Sequence, residues 1–194
     1  MTFEIETVEE LEKLIDDRKY IDNLMIIMDQ DINHLLKYLT DLTHLRFTWN
    51  YDQYTDLYNC SELKYLYFGM QYNHATDLSK LVNLTHLEFH GDYNRPTDLS
   101  HLKNLQHLKF GCHYVQQTDL SQLLNLTYLN FGELYNQPTD LSHLTNLKHV
   151  EFKDLYNQPI DLSSLTNLTY FRMGEFNVNS KFINILRDNK KLIF

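Results

Sequence analysis

Sliding the 194-residue chain against itself by 21 residues aligns an apolar column along most of its length: Leu36, Leu57, Leu78, Leu99, Leu120, Leu141, Leu162 and Ile183. Two further columns keep the same step: Leu39, Cys60, Leu81, Leu102, Leu123, Leu144, Leu165, Leu186, and Leu42, Leu63, Leu84, Leu105, Leu126, Leu147, Leu168. The last two are Leu45, Leu66, Leu87, Leu108, Leu129, Val150, Phe171, Leu192, and Phe47, Phe68, Phe89, Phe110, Phe131, Phe152, Met173, Phe194. The unit reads LxxLxxLxxLxF. A fixed period of this length means that each unit buries its apolar face only by stacking on its neighbours.

The last two apolar residues of the unit are two apart and point to one side of an extended chain, so each unit supplies one short parallel strand. The preceding DLSxLxNL places apolar residues three apart, which suits a tight helical or 3-10 turn on the opposite face. The expected fold is an α/β solenoid: a leucine-rich repeat horseshoe of 21-residue units, parallel sheet on the concave face and short turns on the convex face. Parallel strands sit about 4.8 Å apart and packed helices about 8–10 Å, and so short a convex segment predicts gentle curvature.

One period earlier, Ile15, Ile21, Leu24 and Ile26 fall into register, with Arg18 breaking the pattern. Thr7 and Glu10 have capping-box spacing, predicting a helix over about residues 7–18 that covers the open end of the core. The whole chain, 1–194, reads as a single domain: residues 1–33 a cap with a degenerate unit, 34–180 regular repeats, 181–194 a partial repeat.

The segments HGDYNRPTDLSHLKNL, GELYNQPTDLSHLTNL and KDLYNQPIDLSSLTNL carry a second signature. They resemble the FNIP repeat, a leucine-rich repeat variant built on Phe-Asn-x-Pro-Ile, with Tyr in place of Phe and Thr usually in place of Ile. The resemblance covers roughly residues 50–180 and is strongest at Tyr93–Pro96, Tyr135–Pro138 and Tyr156–Ile160. It implies a non-catalytic interaction scaffold of the kind typical of social amoebae and of the giant viruses that infect amoebae.

Stacking turns each polar column into a ladder. The aspartates Asp56, Asp77, Asp98, Asp119, Asp140 and Asp161 are expected to accept backbone N–H groups at the start of each convex turn, a calcium ladder being the alternative. The preceding threonines, Thr55 to Thr139, are expected to serve the same start. Tyr51, Tyr72, Tyr93, Tyr114, Tyr135 and Tyr156 stack to close the core, and Asn73, Asn94, Asn136 and Asn157 tie loop backbone between units. The NLT triplets at Asn83, Asn125 and Asn167 match glycosylation acceptors but recur because the repeat recurs.

The residue before the second strand leucine points outward, giving the column His44, Tyr65, His86, His107, Tyr128, His149, Tyr170. Beside it runs Arg46, Tyr67, Glu88, Lys109, Asn130, Glu151, Arg172, which varies in sign from unit to unit. Neither column is needed by the core, so both are candidate partner contacts, with Trp49 either flanking them or covering the N-terminal end. Should the histidines meet a partner while neutral, binding weakens between about pH 7 and 5.

The bulk numbers exclude other classes. The net charge of −9 argues against a nucleic-acid binder, and no apolar run is long enough to span a membrane. The acidic start MTFEIETVEELEKLI is unlike an export signal, and the two cysteines, Cys60 and Cys112, suit a reducing interior; the cytoplasm is expected, the host's for a viral protein. No catalytic constellation, metal-ligand cluster or cofactor motif stands out, so an enzyme is not expected. The expected partner is an unidentified protein. An alternative is self-assembly through a C-terminal edge strand ending at Leu192 and Phe194, giving a monomer or a weak homodimer.

Overall fold

The computed structural model describes residues 2–174 and the backbone of Phe176–Asn179. Strand β1 (Phe3–Ile5) leads into helix α1 (Val8–Asp16), β2 (Asn23–Ile26) and a one-turn helix α2 (Asn33–Leu36). Seven strands follow at the repeat spacing: β3 (His44–Phe47), β4 (Tyr65–Phe68), β5 (His86–Phe89), β6 (His107–Lys109), β7 (Tyr128–Asn130), β8 (His149–Phe152) and β9 (Tyr170–Met173). They join β10 (Phe176–Asn179) in one sheet whose strand order is the chain order.

The sequence period is the sheet register. Leu45 pairs with Leu66, Leu66 with Leu87 and Leu87 with Leu108, and the parallel pairing continues in this way from β1 to β9. Because side chains alternate along a strand, the Leu and Phe columns enter the core together and the residues between them face out. Opposite the sheet, each leucine N–H reaches back three residues: Leu81 to the Leu78 carbonyl and Leu84 to that of Leu81, both at 3.0 Å. Tight turns therefore line the convex side, and α2 is the only α-helix there beyond α1 among the described residues. Cys60 fills a leucine position in the core, where burial pushes its thiol up to about 12.

The loops between strand and turn are held by side chains. Each tyrosine of the ladder stacks on the phenylalanine four residues before it, as Tyr93 does on Phe89 at 3.7 Å, and on its neighbours one unit away at about 6.2 Å. The expected Asn ties are present: Asn94 N–H donates to Asn73 Oδ1 and Val115 N–H to Asn94 Oδ1. Each aspartate accepts the N–H two residues on, as Asp77 does from Ser79 at 2.8 Å, making an Asx turn that starts the convex segment. This local bond holds Asp77 below the usual carboxylate range. The threonines do something else. Thr97 Oγ1 lies 2.6 Å from Tyr93 Oη, and the same pairing recurs at Tyr51–Thr55, Tyr72–Thr76, Tyr114–Thr118 and Tyr135–Thr139. They satisfy the core tyrosines rather than the turn.

The NLT asparagines belong to a second ladder. Asn83, Asn104, Asn125, Asn146 and Asn167 each donate from Nδ2 to a carbonyl 22 residues earlier, joining one convex turn to the next.

Both ends depart from the simple repeat. The capping box forms as expected, Thr7 Oγ1 accepting from Glu10 N–H and Glu10 Oε2 from Thr7 N–H, and Arg18 breaks the pattern because it sits at φ 51° just after the helix. The cap is a strand and a helix, not a helix alone: Phe3 and Ile5 stand one period before Leu24 and Ile26 and pair with them. At the other end the chain reverses after Gly174, at φ 58°, and β10 runs antiparallel along β9. The edge of β9 that the period assigned to a further parallel strand is thus taken by β10. The expected terminal edge at Leu192 and Phe194 lies outside the described residues.

Candidate functional site

The open face of the sheet is built from the residues that the core does not use. His44, Tyr65, His86, His107, Tyr128, His149 and Tyr170 stack into one continuous column, with ring centroids 4.0–5.4 Å apart and planes within 3–20° of each other. The widest step is His86 to His107. Strand spacing dictates this stack, since rings on adjacent parallel strands sit about 4.8 Å apart at equivalent positions. Their faces are covered by one another. What the column offers to solvent is ring edges, which carry the positive side of the aromatic quadrupole and the polar atoms.

The imidazoles fall into two groups. Thr43 Oγ1 donates to the Asp22 carbonyl at 2.8 Å and so accepts from His44 Nδ1–H, also at 2.8 Å. Thr85 relays the Lys64 carbonyl to His86 Nδ1 in the same way, at 3.0 and 2.9 Å. Both rings are thereby held with the proton on Nδ1, leaving Nε2 as an acceptor. The Thr-His dipeptide, recurring two units apart, was the legible signal for this relay. His107 and His149 instead turn Nε2 toward carboxylates, at 3.0 Å from Glu88 and 2.6 Å from Glu151.

The neighbouring column separates into clusters. Glu88 lies between His107, His90 and Lys109, and the two imidazoles hold its carboxyl well below the usual range. Glu151 pairs with His149 and Lys153, and Arg172 with Asp154. Arg46 lies over the Tyr67 ring at 4.3 Å, and Tyr67 meets His90 at 4.6 Å. Burial, with the like charge of His107 beside it, lowers the His86 pKa, against a smaller opposing pull from Glu88.

Two expected contacts change standing. Asn130 is on the same face as Tyr128, to whose Oη it donates, but only 5% exposed, so its amide supports the ring column and little of it is open to a partner. Trp49 is 71% exposed and lies one period before Met70, itself 45% exposed, just past the ends of β3 and β4. Across β2 to β5 the outward side chains enclose a half-open groove of about 270 Å³, lined by Asn23, His44, Arg46, Tyr65, Tyr67 and His86 among others. A larger hollow of about 840 Å³ lies on the turn side along Pro138 and Pro159. Its Asp119 and Asp140 already accept backbone N–H groups, which marks it as a seam between units.

A ladder of tight turns behind a parallel sheet, repeated in register, defines the class: the chain is a leucine-rich repeat solenoid. Solved structures of two proteins from Listeria monocytogenes str. 4b F2365 share the architecture. Internalin C2 is 20% identical, with a TM-score of 0.55 over 78% of this chain and 71% of that one. Internalin InlF is 18% identical, with a TM-score of 0.55 over 88% of this chain, which spans 57% of InlF. At these identities the likeness is one of fold. No protein-family model and no curated protein sequence matches the chain.

Proposed function

We propose that this solenoid is a non-catalytic scaffold of the FNIP-repeat type that binds a protein partner across the open face of its sheet. The observation that carries the reading is the contrast between frame and face. Tyr, Thr, Asn and Asp ladders repeat with the same bonds in successive units, whereas the outward column changes from Arg46 to Tyr67, Glu88, Lys109 and beyond. Variation on a constant frame is how repeat proteins make specific surfaces. Two free cysteines, one of them buried in the core, suit a reducing cytoplasm. No helix among the described residues is long and apolar enough to cross a membrane.

The test compares affinity capture from an amoebal lysate by wild type and by a His86→Ala, His107→Ala, Tyr128→Ala triple variant. These positions lie outside the core, so the variant keeps its fold by circular dichroism while losing the specifically captured proteins. Recovery of the same proteins by both would remove the open face as the contact.

A further inference from the structure

The stack is open at its first strand. Among the described residues β1 pairs only with β2. In a parallel ladder the N–H and C=O of one residue turn to the same side, and those of the next residue turn to the other. Ile5 faces β2, its carbonyl accepting from Ile27 N–H at 2.8 Å. Glu4 therefore turns its N–H and C=O to the free edge, where an added strand would find both. Glu6 has the same parity, but its N–H already donates to Glu10 Oε2 at 2.9 Å, which closes the edge at that point. Beside the edge, β1 and α1 enclose a half-open hollow of about 310 Å³ lined by Phe3, Glu4, Glu10, Lys13, Leu14 and Asp17 among others. Phe3 and Leu14 pack on the core yet are only partly buried, so apolar surface is left in the hollow. Its surroundings are acidic. Residues 1–24 carry eight carboxylates against three basic side chains, Lys13, Arg18 and Lys19, and so hold −5 of the chain's net charge of −9. Among the described residues no basic side chain comes within ion-pair distance of Glu4, Glu6 or Asp17.

We infer that the free edge of β1 takes an extended segment of a partner protein as an additional strand, with apolar side chains set against Phe3 and Leu14 and basic side chains between them beside Glu4. The contact is made through the strand edge and does not depend on the reading of the ring column. Alternation along the added strand selects this chemistry. Side chains level with Phe3 and Ile5 turn inward to the hollow, and those level with Glu4 turn to the open face. A basic side chain there stands one strand spacing, about 4.8 Å, from Glu4. Arg46, which shares the Glu4 register through Met25, is three spacings from the added strand, about 14 Å. At that distance its charge is screened, the screening length being about 8 Å at physiological salt. An acidic segment would meet the acidic end of the stack with like charge. A second copy of this chain would do the same, because antiparallel pairing of two β1 edges sets Glu4 against Glu4.

The experiment measures fluorescence anisotropy of a labelled peptide, Thr-Val-Lys-Val-Lys-Val-Thr, with the full chain. Its companions are the same peptide with Glu for Lys and a backbone N-methylated form that cannot bond the edge. Glu4→Pro removes only the outward N–H, and proline is tolerated on an edge strand whose N–H faces solvent. Expected results are saturable binding of the lysine peptide and a loss of about tenfold or more in Glu4→Pro, in the glutamate peptide and in the N-methylated form. In the complex, exchange of the Glu4 N–H with solvent should slow about tenfold or more by NMR. Absence of saturable binding, equal binding by Glu4→Pro, equal binding of the N-methylated peptide, or a Glu4 N–H that exchanges as fast in the complex as in the free chain would each overturn the inference. Association of the wild-type chain that Glu4→Pro abolishes would overturn it too, by assigning the edge to a second copy. Should Glu4→Pro not fold, Glu4→Lys decides. Its preference should turn to the glutamate peptide, while Glu62→Lys, the same charge change on the turn side, keeps the preference for lysine. A lysine preference unchanged in Glu4→Lys, or lost equally in Glu62→Lys, would remove the assignment.

Discussion

At the scale of single residues, the Tyr and Thr of each Tyr-Asn-x-Pro-Thr segment belong together. A phenylalanine and an isoleucine four residues apart have no polar atoms to satisfy. A tyrosine placed in the same core position needs a partner for its hydroxyl, and threonine at the fourth residue supplies it, as in Tyr93–Thr97 and Tyr135–Thr139. The exception tests the rule. In the last of these units Ile160 stands in the threonine position, so the buried Tyr156 hydroxyl lacks the partner of its own unit and has only Thr139 of the preceding unit near it. Tyr156→Phe is therefore expected to leave stability unchanged or raise it in urea denaturation, whereas Tyr93→Phe lowers it by about 1 kcal/mol. An equal loss in both would show that Thr139 satisfies Tyr156 as fully as Thr97 satisfies Tyr93. His86 offers a second check. Its folded pKa lies below the ordinary 6.5, so the unfolded chain binds more protons near that pH. The stability it contributes is present above about pH 6.5 and declines as pH falls below it. An NMR titration should place its midpoint under 6.5, and Glu88→Gln should lower it further, since the Glu88 charge opposes the shift.

At the scale of elements, the strand and turn of each unit were legible because both are local patterns: two apolar residues two apart, then a run three apart. The Asp and Asn roles were legible for the same reason, being bonds to the near backbone or to the equivalent atom one unit away. The threonine role was misassigned because its partner is a side chain four residues back that packs inward, which spacing alone does not reveal. Gly132 shows a related constraint. A Cβ there would lie 1.7 Å from the Gly111 carbonyl oxygen on the neighbouring unit, so the residue is required by close approach and not by a left-handed turn. Gly132→Ala is expected to cost about 2–3 kcal/mol. A denaturation midpoint unchanged by the substitution would mean that the two backbones separate freely.

At the scale of the whole molecule, a stack in which each unit touches only its neighbours depends on how its ends are closed. The N-terminal closure is β1 with α1, and α1 buries Leu11 completely. Removing residues 1–20 would bare the unit containing Leu24 and Ile26, and light scattering should then report association that the full chain does not show. A truncated chain that stays monomeric would assign the closure to other residues. The 21-residue period by itself determined the register, the inward columns and which residues stand one above another, because in a parallel stack residues one period apart are neighbours by construction. Only the tertiary structure decided how those neighbours are oriented: rings face to face with their edges outward, protons placed by Thr43 and Thr85, Asn130 covered beside Tyr128, Trp49 left exposed, and β10 reversed against β9. The physical reason is that periodicity specifies which side chains meet. Their rotamers, and the way the ends are covered, are chosen by packing and hydrogen bonding across units, for which the spacing of one sequence carries no term.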